Sequence, residues 1–313
     1  MRRGQGSMIS VPFLIACLQA ETAGRIWMKR MMIAALCLLL CGCQSVQEDT
    51  LRVSQTEDAP SQLVAEQVLE GESGTIHYSY QLPEGYHETG SYPMMVVMPG
   101  YDMMWFGEDS SGANLDWQGF RCWSDLDEEM IVVSAQLTDW GETSARQAIE
   151  LTEHFLDDFA VDAKRVYAAG YSAGGETMSR AVSMRPDLYA AYLHAASQWD
   201  GDLVSVTAHD VGVYIYIGSN DEYYGSQQAQ DTYDALYAAY QADGRSDEQI
   251  ASLLQIQMPD DAYFAQQGAG SYAHAAANVV FDDDEVLNWI IDHHKREPIR
   301  HVHAGFRKND GRG

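Results

Sequence analysis

The sequence predicts an α/β domain, a mainly parallel central sheet with helices on both faces. Two observations carry this. Short, largely apolar runs recur at Met94–Met98, Met130–Ser134, Arg165–Ala169, Ala190–His194 and Val211–Ile217. They do not alternate with polar residues, as strands covered on both faces need not. Helical periods lie between them, and strands alternating with helices build a parallel sheet wrapped on both sides. Such a sheet opens its ligand crevice at the carboxyl ends of the strands.

The elements follow in order. Thr75–Leu82 alternates aromatic and β-branched residues with polar ones and reads as an outer strand. After Met130–Ser134, Ser144 and Gln147 have the spacing of a capping box. Ala148, Ile149, Phe155, Leu156 and Phe159 then share one face. Met178, Ala181 and Met184 mark the helix after Arg165–Ala169. Tyr233, Leu236, Tyr237 and Tyr240 form a stripe expected to pack in the core, and Ser246 with Gln249 caps a short helix after it. The last helix, about 283–294, begins at an Asp cluster and buries Val286, Leu287, Ile290 and Ile291. It ends in His293, His294, Lys295 and Arg296, cations suited to a negative helix end. His293, His294, His301 and His303 lie close in sequence, but neighbours on a helix do not converge, so no metal site is expected.

The chain has 313 residues, 46% hydrophobic and 21% charged. That is enough apolar material for a core, and it excludes a disordered or collagen-like chain. With 46 acidic residues against 19 basic ones the net charge is −27. So acidic a surface repels phosphate backbones, so nucleic acid is not an expected partner. Of the cysteines, Cys17, Cys37, Cys41 and Cys43 precede the domain, leaving it no disulfide framework. Cys122, beside Trp123, reads as a small buried hydrophobe.

The N-terminus reads as an address. Met28-Lys29-Arg30 precedes a short apolar run and then Leu40-Cys41-Gly42-Cys43. The run falls short of the roughly 20 residues a bilayer span needs, but suits a signal peptide. Leu40–Cys43 resembles a bacterial lipobox, which implies that Cys43 is lipidated and becomes the mature N-terminus. Residues 1–27 are read as an upstream extension with Met28 as the start, the alternative being one long leader. Polar residues 44–72 are expected to be a flexible tether, 73–294 the domain, and 295–313 a basic, disordered tail.

The chemistry is sought after the strands. Arg165–Ala169 runs into Gly170-Tyr171-Ser172-Ala173-Gly174, a G-x-S-x-G pattern between a strand and a helix. A sharp turn there leaves no room for side chains at the glycines and presents the Ser172 hydroxyl at a helix N-terminus. A serine hydroxyl is a weak nucleophile and needs a base, itself oriented by an acid. Asp221 lies just past Val211–Ile217, with Glu222 as its competitor. Downstream of it, His274 occupies a loop before the last helix, whereas the other histidines sit in that helix or the tail. The N–H groups of Ala173 and of Tyr101, after Met98-Pro99-Gly100, are candidates to hold an oxyanion.

These residues resemble the α/β-hydrolase superfamily, and within it secreted bacterial serine esterases and prolyl-oligopeptidase-like hydrolases. Ala163–Gly175 is similar to that group's nucleophile turn. The resemblance implies Ser172 as nucleophile, Asp221 as acid, His274 as base, and no cofactor. It also implies that the helical stretch 226–265 is an insert placed where such hydrolases carry a lid. One departure is Pro99-Gly100, where the group usually has His-Gly. Trp140, Gln198, Trp199, Tyr171 and Tyr223 are candidates to line the substrate cleft, with core packing an equal alternative for the two tryptophans. The expected function is an exported, membrane-anchored esterase acting on a small-molecule or polysaccharide-linked ester. A serine peptidase and a non-catalytic binding lipoprotein are the rivals.

Overall fold

The computed structural model describes residues 61–295. The leader, Cys43, residues 44–60 and the tail from 296 lie outside the described residues. The chain begins with β1 (Gln62–Gly71), β2 (Gly74–Leu82) and β3 (Tyr92–Met98), a single turn α1 (Gln118–Arg121) and β4 (Ile131–Gln136). Helix α2 (Glu142–Asp158), β5 (Val161–Tyr171), α3 (Ala173–Met184), β6 (Ala191–Ala195), α4 (Leu203–Ala208) and β7 (Gly212–Tyr216) follow. Then come α5 (Ser226–Ala242), α6 (Asp247–Leu253), β8 (Leu254–Gln257), α7 (Asp261–Gln266), the turn α8 (Ala273–Ala276) and α9 (Asp284–Ile291).

The strands form one sheet in the order β1-β2-β4-β3-β5-β6-β7-β8. The pairs β1–β2 and β2–β4 are antiparallel and all others parallel. Every residue of β3, β4 and β6 is buried, which is why these strands read as unbroken apolar runs. Successive strand residues point to opposite faces, so Met94, Val96 and Met98 join one core while Met95 and Val97 join another. The first core also takes Phe155 of α2, Met178 of α3 and Leu236 of α5. The second takes Trp123, Phe281, Leu287 and Ile290, together with Cys122. Burial pushes the Cys122 thiol well above its usual pKa, so it is an inert packing group. The Tyr167 hydroxyl of β5 donates to the carbonyls of Ile291 (2.7 Å) and His293 (2.9 Å), closing the open end of α9.

Several expectations need correction. Residues 62–71, expected within the tether, form the edge strand β1. Its alternation is broken by an irregularity between Val64 and Gln67, where Glu66 has φ 57°, and half of it faces solvent. A polar edge strand has the composition of a linker. The stretch 226–265, expected as a helical insert at the place of a lid, is helical but completes the sheet: α5 packs Leu236 and Tyr240 into the core and β8 pairs with β7. The Ser246–Gln249 capping box is present, but the Ser144–Gln147 one is not. There α2 starts earlier, at Glu142; Ser144 Oγ donates to Asp139 (2.8 Å) and Gln147 Nε2 to the Thr75 carbonyl of β2 (3.1 Å). The last helix is shorter than expected and stops at Ile291.

Candidate active site

β5 ends at Tyr171 and α3 begins at Ala173, so the chain reverses at Ser172, which has φ 55° and ψ −123°. That conformation costs an L-residue about 1–3 kcal/mol. Its surroundings hold it there. The Ser172 N–H donates to the Ala195 carbonyl (3.1 Å), and Ser197 Oγ donates to the Ser172 carbonyl (2.8 Å). A Cβ on Gly170 would lie 2.5 Å from the Gly174 carbonyl oxygen, and one on Gly174 would lie 2.2 Å from that of Met98. Only glycine fits either place.

Three side chains from separate elements meet at the carboxyl ends of the strands. Ser172 Oγ is 3.0 Å from His274 Nε2, and His274 Nδ1 is 2.9 Å from Asp221 Oδ2. Each of the three residues is exposed by less than a tenth of its surface. An Nδ1–H donated to Asp221 leaves the Nε2 lone pair to accept the serine proton. His274 stands on the turn α8 rather than in an open loop.

The turn after β7 sorts its two carboxylates. Burial raises the pKa of Asp221, but the His274 hydrogen bond and the N–H groups of Tyr224 (2.7 Å) and Tyr223 (2.9 Å) outweigh it, holding Asp221 below the usual carboxylate range. Glu222, the rival candidate, instead accepts the backbone N–H groups of Ala273 (3.2 Å) and His274 (3.3 Å). On its other side the His274 carbonyl accepts the Tyr171 hydroxyl (2.9 Å). The backbone carrying the imidazole is thereby pinned from two elements.

The segments that carry the two candidate oxyanion donors run close to each other. The N–H of Ala173 opens α3, where helix geometry supplies no partner. The loop after β3 runs against the nucleophile turn: a Cβ on Gly100 would lie 3.5 Å from Ser172 Cβ, just before the N–H of Tyr101. The Tyr101 ring is exposed and meets the rings of Phe106 (5.0 Å) and Trp140 (5.8 Å), both also exposed.

Of the residues expected to line the cleft, Trp140 and Tyr223 are exposed, and Tyr223 lies 5.2 Å from the His274 ring. Gln198 borders an open polar cleft of about 430 Å³ beside α3, with Trp140, Glu142, Arg180 and Asp200. One expectation is corrected: Tyr171 is buried and stacks on His274, because its hydroxyl is committed to that residue's backbone. Trp199 takes the packing alternative, set against Tyr192 and His194 with its Nε1–H donated to the Gly201 carbonyl (3.0 Å). Sequence reasoning missed Glu176 and Tyr224, bonded to each other at 2.5 Å. Their positions, four residues after Ser172 and three after Asp221, were the available signal.

The prolyl oligopeptidase family matches residues 134–280. No curated protein matches the chain. Among solved structures, a thermostable esterase aligns with a TM-score of 0.61 at 15% identity, over 74% of this chain and 63% of its own. The chain therefore spans less than two thirds of that esterase's length. A ferulic acid esterase aligns at 0.51 and 12% identity, over 75% of this chain and 99% of its own. The feruloyl esterase module from Clostridium thermocellum complexed with sinapinate aligns at 0.50 and 14%, over 77% and 92%. At such identities the likeness carries the fold, which is the α/β-hydrolase fold.

Proposed function

We propose that this chain, a serine hydrolase of the α/β-hydrolase fold similar to prolyl oligopeptidases and esterases, cleaves carboxylic esters through an acyl-enzyme. The observation that carries the reading is the relay Ser172 Oγ–His274 Nε2–Asp221 at 3.0 and 2.9 Å. In it His274 takes the Ser172 proton as the hydroxyl attacks the ester carbonyl. The oxyanion of the tetrahedral intermediate receives the N–H groups of Ala173 and Tyr101. Collapse breaks the ester C–O bond, and the imidazolium protonates the departing alcohol. Water then attacks the acyl-serine with His274 as base, and Asp221 holds the imidazole tautomer throughout.

The open polar cleft and the exposed rings of Tyr101, Phe106 and Trp140 support a substrate with an aromatic or sugar group attached to the ester. The leader motif ending at Cys43 supports an exported, lipid-anchored enzyme. The prolyl oligopeptidase match favours a second reading, a serine peptidase with the same relay.

Labelling by a fluorophosphonate probe, lost in Ser172→Ala, tests the nucleophile. Hydrolysis of p-nitrophenyl acetate against aminoacyl-nitroanilides separates ester from peptide. Turnover of the anilides alone would overturn the ester assignment.

A further inference from the structure

We propose that Tyr224 is a positioning residue which, through Glu176, locks the acid-bearing turn onto the helix that follows the nucleophile. The inference rests on the serine-hydrolase reading above and assigns a role to two residues outside the relay.

Tyr224 touches every arm of the site. Its backbone N–H donates to Asp221 Oδ1 at 2.7 Å, closer than that of Tyr223 at 2.9 Å. Its ring centroid lies 5.5 Å from that of His274. Its hydroxyl donates to Glu176 Oε1 at 2.5 Å, and the Glu176 N–H donates to the Ser172 carbonyl at 3.2 Å. Burial and the Glu176 carboxyl raise the pKa of the phenol, the Ser172 hydroxyl offsetting only part of that, so Tyr224 stays a donor.

The sheet explains why such a tie is needed. Ser172 follows β5 and Asp221 follows β7, but β6 lies between these strands. No ladder hydrogen bond fixes one strand end directly against the other. A nucleophile, base and acid must hold their geometry to a fraction of an ångström. The Tyr224–Glu176 bond spans that gap above the end of β6. It joins a phenol to a carboxyl that is buried and whose pKa burial raises. A phenol donating to a carboxylate is among the stronger neutral-to-charged hydrogen bonds. The neighbouring Glu222 does the matching work toward α8. Residues 221–224 thus orient the imidazole, anchor its backbone and grip α3.

The test uses the full chain with Tyr224→Phe, Glu176→Ala, Glu176→Gln and the double variant Tyr224→Phe/Glu176→Ala. The readouts are the second-order rate of fluorophosphonate labelling, kcat and KM for p-nitrophenyl acetate, and the thermal midpoint. Tyr224→Phe and Glu176→Ala should each slow labelling and lower kcat about tenfold, with KM within twofold. The double variant should be no slower than the slower single one, because both remove one bond. Glu176→Gln, whose amide oxygen accepts the same proton, should recover most of the Glu176→Ala loss. Wild-type labelling rates in Tyr224→Phe, or losses that multiply in the double variant, would overturn the proposal. If Tyr224→Phe does not fold, the contrast between Glu176→Ala and Glu176→Gln decides it: equal losses in both overturn it. A wild-type chain that resists labelling would instead sink the serine-hydrolase reading itself.

Discussion

Ser197 Oγ donates a 2.8 Å hydrogen bond to the carbonyl oxygen of Ser172, the residue held at φ 55°. The bond reaches from the loop after β6 to the strained turn after β5. It adds a third donor to a carbonyl that already receives the N–H groups of Gly175 (2.8 Å) and Glu176 (3.2 Å), tying the turn to the neighbouring strand end. Ser197→Ala should cost about 1–2 kcal/mol of stability in urea denaturation, the range for a lost buried hydrogen bond. Labelling of Ser172 should slow several-fold as the turn relaxes. An unchanged denaturation midpoint would show that the turn holds without it.

Asp221 and Glu222 are adjacent carboxylates with separate duties. Asp221→Asn should lower kcat on p-nitrophenyl acetate by about 10³–10⁴, because an amide can favour the wrong imidazole tautomer. The N–H groups of Ala273 and His274 bond separate oxygens of Glu222; Glu222→Gln keeps one of these bonds and should lose less than about tenfold. Equal losses in the two variants would reassign the acid.

His194 is buried beneath the nucleophile turn, 2.7 Å from the Tyr192 hydroxyl and 3.2 Å from the Ser197 carbonyl. Burial, only partly offset by the Ser197 carbonyl, lowers its pKa from 6.5 to about 4. Its neutral form is therefore the native one. Below about pH 6.5 the unfolded chain takes up a proton that the folded chain refuses, so stability falls as pH drops towards 4. That depression corresponds to about 3 kcal/mol by pH 4. Asp221, with its native pKa depressed, loses its contribution only lower, below its usual 3.8. Denaturation of wild type and His194→Gln at pH 7, 5.5 and 4.5 checks this: the wild type should lose more stability over that interval.

The exposed rings of Phe106 and Trp140 flank Tyr101 at the cleft rim. Trp140→Ala should raise KM for an aromatic or glycosyl ester about three- to tenfold, the worth of one aromatic contact. Turnover of methyl acetate, which carries neither ring nor sugar, should stay within about twofold. Equal effects on both substrates would remove the rim from the binding surface.

Where one residue's environment is local, sequence was a good guide. The buried strands were legible as apolar runs, and β3 and β4 are buried at every position. Ser172 was legible from the glycines on either side, whose missing side chains the turn requires. β1 was not legible, because half its surface faces solvent and its irregularity at Glu66 breaks the alternation. At 226–265 the helices and the buried stripe of Leu236 and Tyr240 were legible, but not that the stretch ends in a strand of the sheet rather than over the cleft, because only packing says which surface the stripe meets. Trp140 and Trp199 look alike in sequence, yet one is exposed at the rim and the other packs on His194.

By itself the sequence determined the alternation of strands and helices and the nucleophile turn, because each depends on neighbours along the chain. Tertiary structure decided which carboxylate of the 221–222 pair meets His274, which aromatics line the cleft, and that Tyr224 reaches Glu176. Those contacts join residues some 50 to 100 positions apart. Their distances are set by how β5, β6 and β7 lie beside one another, a property of sheet register that no local pattern encodes.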